Sequence, residues 1–260
     1  MIIERSEHPG WLSNAYLLAE GPGGSGVLID GNGVVEPLLE RVERDRIEIT
    51  HLLLTHSHGD HVVGIAALKE RFGVPVVAHP LTAGELETGL VDTLSGDGHV
   101  VRSGGLEIRA ILTPGHAKGH LAFLCGADCF TADVLFKGTV GGTRGPGGDY
   151  GELRASVMER LLRLPPETRV RPGHREPTTV AAEWDGNPFV RVWRGLDEEG
   201  SEKCIVGGEE ATLLLLAPDY DGGHKGLVRF GNGEEAIVGG SQISRSARPA
   251  AGTSPGSASR

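Results

Sequence analysis

The heptapeptide Thr55-His56-Ser57-His58-Gly59-Asp60-His61 constrains this chain more than any other segment, because it sets three histidines and an aspartate within seven residues. Four such groups packed together lose hydration and repel one another unless a cation lies among them. The segment follows an apolar run, Ile49 to Thr55, that reads as a buried strand. In extended backbone, residues two apart face the same side, so His56 and His58 can reach one ion. Gly59 permits a bend that turns Asp60 and His61 toward a second ion.

Three further apolar runs end in the same way. AILTPG leads into His116, CFTA into Asp133 and RVRPG into His174. Strand ends along one sheet edge are where a rigid scaffold gathers distant residues onto loops. Taken singly, His116 or His174 could be a satisfied loop histidine, and Asp133 could cap a helix. Together the five histidines and two aspartates suit a pair of borderline cations, which take imidazole nitrogen and carboxylate oxygen. Zinc comes first, with iron and manganese as alternatives. His120, four residues after His116, can orient a ligand. His51, inside a strand, and His79, before a proline, read as structural. His8, His99 and His224 carry no motif.

The remaining pattern predicts a layered α/β (or α+β) fold. Strands are expected over residues 15–19 and 27–30, joined by the loose turn GPGGSG, then over 49–55, 106–113, 121–125, 129–132 and 168–171, with a further strand in VPVVAHP. Helical spacing covers residues 35–44, 61–72 and 150–164, the last stopped by Pro165 and Pro166. These elements define a catalytic domain over residues 1–190. Three more strands, over 212–217, 226–230 and 235–238, form a small C-terminal β appendage spanning 191–243. Residues 244–260 lack apolar periodicity and are expected to be disordered.

Composition narrows the partners. The net charge of −10 argues against nucleic acid or an anionic membrane, and no apolar run reaches the length of a membrane span. The N-terminus lacks the basic-then-apolar pattern of a signal peptide, and Cys125, Cys129 and Cys204 form no CxxC pair, so a cytoplasmic, reducing location is expected. A small-molecule substrate is the expected partner, and homo-oligomerisation is left open. No Gly-x-Ser-x-Gly between a strand pattern and a helix pattern is found, the one match being GTSPG in the tail at 252–256, and no GxGxxG opens a helix after a strand.

THSHGDH, TPGHAKGH, TADVLF and RPGH, in this order and spacing, resemble the metallo-β-lactamase-fold hydrolases over about residues 1 to 190. PGHxxGH, DVLFKGTVGG, PGGDYGEL and the closing TTV, Glu183 and NPF look most like the glyoxalase II-like (hydroxyacylglutathione hydrolase-like) branch. The resemblance implies an αββα sandwich with the metals at one edge of its two sheets. It implies a first metal held by His56, His58 and His116, a second by Asp60, His61 and His174, and Asp133 bridging both. It further implies a binuclear hydrolase in which a shared hydroxide, oriented by Asp60, attacks a thioester or ester carbonyl. The chain departs from the branch in two places. Ala132 precedes the bridging aspartate where relatives usually have glycine, and a basic residue that helps bind glutathione in relatives falls near Gly142. Lys137 and Arg144 are the candidate substitutes for it.

Three rivals remain. A mononuclear iron persulfide dioxygenase on the same fold would use His56, His116 and Asp133 as a facial triad. A lactonase would use the same hydrolytic centre. A non-catalytic binding module ranks lowest, because all seven ligand positions are filled.

Overall fold

The computed structural model describes residues 1–245. Its first sheet runs in chain order: β1 (Ile2–Glu7), β2 (Asn14–Ala19), β3 (Ser25–Ile29), β4 (Glu48–Leu53), β5 (Val76–Ala78) and β6 (Thr93–Leu94). The first three strands are antiparallel and the rest join in parallel. The second sheet contains β7 (Val100–Ser103), β8 (Leu106–Leu112), β9 (Leu121–Cys125) and β10 (Asp128–Ala132). A two-stranded ribbon follows, β11 (Leu135–Phe136) and β12 (Thr139–Val140), and then β13 (Arg169–Pro172) and β14 (Thr178–Thr179) complete the sheet. The spatial order is β14-β13-β10-β9-β8-β7, with β13 parallel to β10.

Alternation along the strands explains the layering. In β2, Tyr16 and Leu18 face the second sheet, packing with Ile108, Phe123 and Phe130. Ala15, Leu17 and Ala19 face the other way, onto α1 (Glu36–Asp45) through Leu38 and Val42. A strand buried on both faces must be apolar throughout, as NAYLLA nearly is. The outer face of the second sheet is covered by helices near residues 150–163 and 180–193. The result is the expected sandwich of two sheets between helices.

The helix expected over residues 61–72 is instead two pieces, α2 (Gly59–Val62) and α3 (Ile65–Phe72). Gly64 donates to the Gly31 carbonyl at 2.8 Å, and Gly31 donates to the His61 carbonyl at 2.7 Å. The loop after β3 threads through the break, where two glycines touch. After a short α4 (Pro80–Gly84), the helix expected over 150–164 begins as α5 (Tyr150–Ala155). It continues through a wider turn at Ser156–Arg160 and a tight one at Leu161–Arg163. The Ser156 hydroxyl donates to the Pro114 carbonyl at 2.7 Å, tying this helix to the loop that carries His116.

α6 (Val180–Gly186) and α7 (Pro188–Trp193) follow, capped by the side chains of Thr179 and Asn187, and α7 crosses the boundary expected at residue 190. The C-terminal region holds five strands where three were expected: β15 (Glu202–Val206), β16 (Glu209–Pro218), β17 (His224–Phe230), β18 (Glu235–Gly239) and β19 (Ile243–Arg245). β19 pairs with β15, so Ser244 and Arg245 belong to a strand where a disordered tail was expected. The rest of that tail lies outside the described residues. One face of this sheet has its own small core, and the other gives Leu214, Ala217, Leu227 and Ile237 to the main core beside Leu153 and Phe189. Among the described residues no helix is long and apolar enough to cross a membrane. All three cysteines are buried as free thiols, and burial pushes Cys129 up to about 12.

Candidate metal centre

Each expected ligand sits just past the end of a strand, on one edge of the sandwich. β4 leads into His56 and His58, α2 carries Asp60 and His61, β8 leads to His116, β10 to Asp133 and β13 to His174. Asp133 is aimed by the backbone before it. The pairing of β10 with β13 shifts register between Phe130 and Ala132, and Ala132 adopts a left-handed φ of 40°. This swings the carboxylate inward, and it caps no helix.

The seven residues converge. His116 Nε2 lies 2.9 Å from His58 Nδ1. Asp133 Oδ2 lies 3.2 Å from His174 Nε2, 3.6 Å from His116 Nε2 and 4.0 Å from His56 Nε2. Asp133 Oδ1 lies 3.3 Å from His61 Nε2. Asp60 Oδ2 stands 3.5 Å from both His61 Nε2 and His174 Nε2. Three sets have donor atoms within 4.8 Å of one another: His56-His58-His116, His56-His61-Asp133 and Asp60-His61-His174.

The other ring nitrogens are held from behind. His116 Nδ1 meets the Gly142 carbonyl at 2.9 Å, and His174 Nδ1 meets that of Trp11 at 3.0 Å. His61 Nδ1 meets Asp30 Oδ2 at 3.0 Å, and His56 Nδ1 meets the Thr55 hydroxyl at 3.0 Å. His120 accepts the Asp133 amide at 3.3 Å, and its Nδ1 meets Thr113 Oγ1 at 2.9 Å, so it orients the aspartate's backbone. Such partners fix both tautomer and ring plane.

Electrostatics agrees with a cation. Burial holds His56 and His120 well below the usual histidine range and brings His116 down to about 4, which favours the neutral rings that His56 and His116 would need as ligands. Burial also opposes charge on His61, but the Asp133 and Asp30 carboxylates outweigh it and hold that ring well above its usual value. For Asp133 burial again opposes the charge, and His174 and His61 outweigh it, keeping the carboxyl well below the usual range. His56 Nε2, His61 Nε2 and Asp133 Oδ1 are buried without a hydrogen-bond partner. Buried polar atoms are normally satisfied, and orphans aimed at one another fit a metal cluster.

The other candidates lie elsewhere. Lys137 is exposed on the turn between β11 and β12. Arg144 turns to the C-terminal sheet, 3.3 Å from Glu209 and over the Phe230 ring. His79 caps α4, and His51 meets only its neighbour Thr50, in keeping with structural roles.

Sequence reasoning missed four contributors. Asp30 ends β3, takes the Thr55 amide and hydroxyl at 2.9 and 2.8 Å, and backs His61. Its signal was present, since LID is one more apolar strand ending in a carboxylate. Trp11, Tyr220 and Lys225 come from regions without a motif. Tyr220 lies flat on His174, ring centres 4.3 Å apart. Lys225, buried, donates to the Val140 carbonyl at 2.8 Å and pairs with Asp219 at 3.1 Å.

A family model described as the metallo-beta-lactamase superfamily matches residues 8–174. The hydroxyacylglutathione hydrolase GloC of Haemophilus influenzae is 32% identical, over 63% of this chain and 86% of its own length. Among solved structures, ETHE1 from Myxococcus xanthus superposes with a TM-score of 0.67 at 29% identity, over 76% of this chain and 92% of its own. TTHA1623, solved in a di-iron-bound form, gives 0.61 at 37% identity, over 72% of this chain and 99% of its own.

Proposed function

The chain belongs to the metallo-beta-lactamase superfamily, and on that premise we propose that it is a binuclear metal-dependent hydrolase of a thioester or ester. The observation that carries this reading is the pair of ligand triads, His56-His58-His116 and Asp60-His61-His174, meeting at the buried Asp133. Asp133 would bridge the two positions, because its two oxygens face histidines of both triads. Divalent cations bound there supply a nucleophilic water near neutral pH and polarise a carbonyl. Asp60, partly exposed beside His61 and His174, would accept a hydrogen bond from that water and orient it. Asp30 and the Gly142 carbonyl would keep the rings of His61 and His116 in register, and His120 would hold Asp133 through its backbone amide. The 32% identity to a hydroxyacylglutathione hydrolase supports thioester chemistry. Zinc suits the donor set, and the neighbour solved with two irons keeps iron as an alternative.

A second reading, an iron persulfide dioxygenase using His56, His116 and Asp133, fits the ETHE1 neighbour. Two assays on the metal-loaded protein separate the readings: thioester hydrolysis and persulfide-dependent oxygen uptake. We expect hydrolysis without oxygen uptake, reduced at least ~100-fold in Asp133→Ala. Oxygen uptake without hydrolysis would replace the hydrolase by the dioxygenase. A lactone run beside the thioester tests the lactonase variant of the same chemistry.

A further inference from the structure

The cavity that opens beside Asp60 and His174 is about 690 Å³, and its remaining walls include Trp11, Val62, Val63 and Tyr220. Trp11 and Val63 are 48% and 55% exposed, so large apolar side chains face solvent at the mouth of a polar site. Clustered exposed apolar surface of this kind marks a binding face. These walls are fixed. Trp11 stacks on His8 at 4.4 Å while its carbonyl holds His174, and Tyr220 is gripped between His174 and Phe136, with centroid distances of 4.3 and 5.0 Å. Tyr220 stands at the tip of the β16–β17 hairpin, so the C-terminal sheet supplies a wall of the cavity.

The cations around this wall already have partners. Arg175 holds the Tyr220 carbonyl at 3.2 Å and lies 3.4 Å from Glu7. Lys225 is buried against Asp219 and Val140. The cavity wall carries no lysine or arginine, and its acidic residue, Asp60, belongs to the triad that would hold a metal. A carboxylate-bearing tail such as that of glutathione finds no basic side chain on this wall, whereas an apolar tail would leave water for an aromatic slot.

We propose that Tyr220 and Trp11 form the specificity slot of the metal site, and that the substrate is an ester or thioester whose far end is apolar and uncharged. This rests on the hydrolytic reading and narrows its substrate. The reaction stays balanced with water alone: water adds to the carbonyl carbon, the C–S or C–O bond breaks, and the acid and the thiol or alcohol depart.

The test is calorimetric binding to the metal-loaded protein of two non-reacting probes, neutral 4-phenylbutanamide and anionic S-methylglutathione. We expect the amide to bind about tenfold or more tighter, as burial of a phenylpropyl tail allows. Tyr220→Ala and Trp11→Ala should each erase most of that preference, and Tyr220→Phe should keep it, with metal content reporting that each variant is folded. Tighter binding of S-methylglutathione, or an unchanged preference in both alanine variants, would overturn the proposal. Turnover of p-nitrophenyl acetate, measured beside it, tests the hydrolase reading separately, because the binding preference does not depend on catalysis.

Discussion

Ala132 shows how one residue's backbone aims the site. A φ of 40° puts it in the region that favours glycine, and a side chain there adds strain on the order of 1 kcal/mol. Ala132→Gly is therefore expected to raise thermal stability slightly, by up to ~1 kcal/mol, with metal content unchanged; a clear fall in melting temperature would contradict the strain. Gly173 is the opposite case. A Cβ there would sit 2.0 Å from Asp133 Oδ1, so the glycine of RPGH is needed for close approach, and Gly173→Ala should lose metal. The gathering of these seven residues was legible because each histidine or aspartate follows an apolar strand, a pattern that packing alone does not require. The partners of Arg144 were not legible, because spacing within VGGT says nothing about the later sheet that brings Glu209 and Phe230 to it.

Among elements, the C-terminal sheet reaches the metal centre without supplying one of the expected ligands. The Thr143 amide donates to the Ile237 carbonyl, and the Ile237 amide returns to the Thr143 hydroxyl, both at 2.9 Å. This stitches β18 to the loop whose Gly142 carbonyl orients His116. Thr143→Val keeps the shape and orphans the Ile237 amide. We expect a loss of ~1–3 kcal/mol in urea unfolding together with weaker metal binding; full metal affinity would show the stitch to be structural only. On the other side, buried Glu183 accepts from the Gly138 amide, the Thr178 hydroxyl and the Asn187 amide group, so TTV, Glu183 and NPF clamp the ribbon that follows Asp133. Long elements with clear periodicity were readable in the sequence. The break at Gly64 and the strands β15 and β19 were not, because a threading loop and an edge pairing are tertiary events without a local signal.

On the scale of the whole molecule, β10 and β13 of the second sheet are tied by charge at the end away from the candidate metal centre. Asp128 is fully buried; burial works against its ionisation, but hydrogen bonds from Arg169 and Arg171, at 2.6–2.9 Å, outweigh that and hold its carboxyl below the usual value of 3.8. A lowered folded value means that its stabilisation is present above that ordinary value and fades as pH falls below it. Asp128→Asn should cost about 2 kcal/mol at neutral pH, discounted for the half-exposed Arg169, and the gap to wild type should narrow toward pH ~3. A gap that stays constant with pH would mean that the ion pairs contribute little. The layered class and the gathering edge followed from alternating apolar runs, while the merging of the C-terminal sheet into the main core could not be read from them. The central claim is that seven residues make two metal positions. Elemental analysis of the purified chain, reconstituted and freed of excess metal, tests it most directly. The account predicts close to two divalent ions per chain, falling to one or fewer in Asp133→Ala, and a single iron per chain that survives loss of Asp60 or His174 would contradict it.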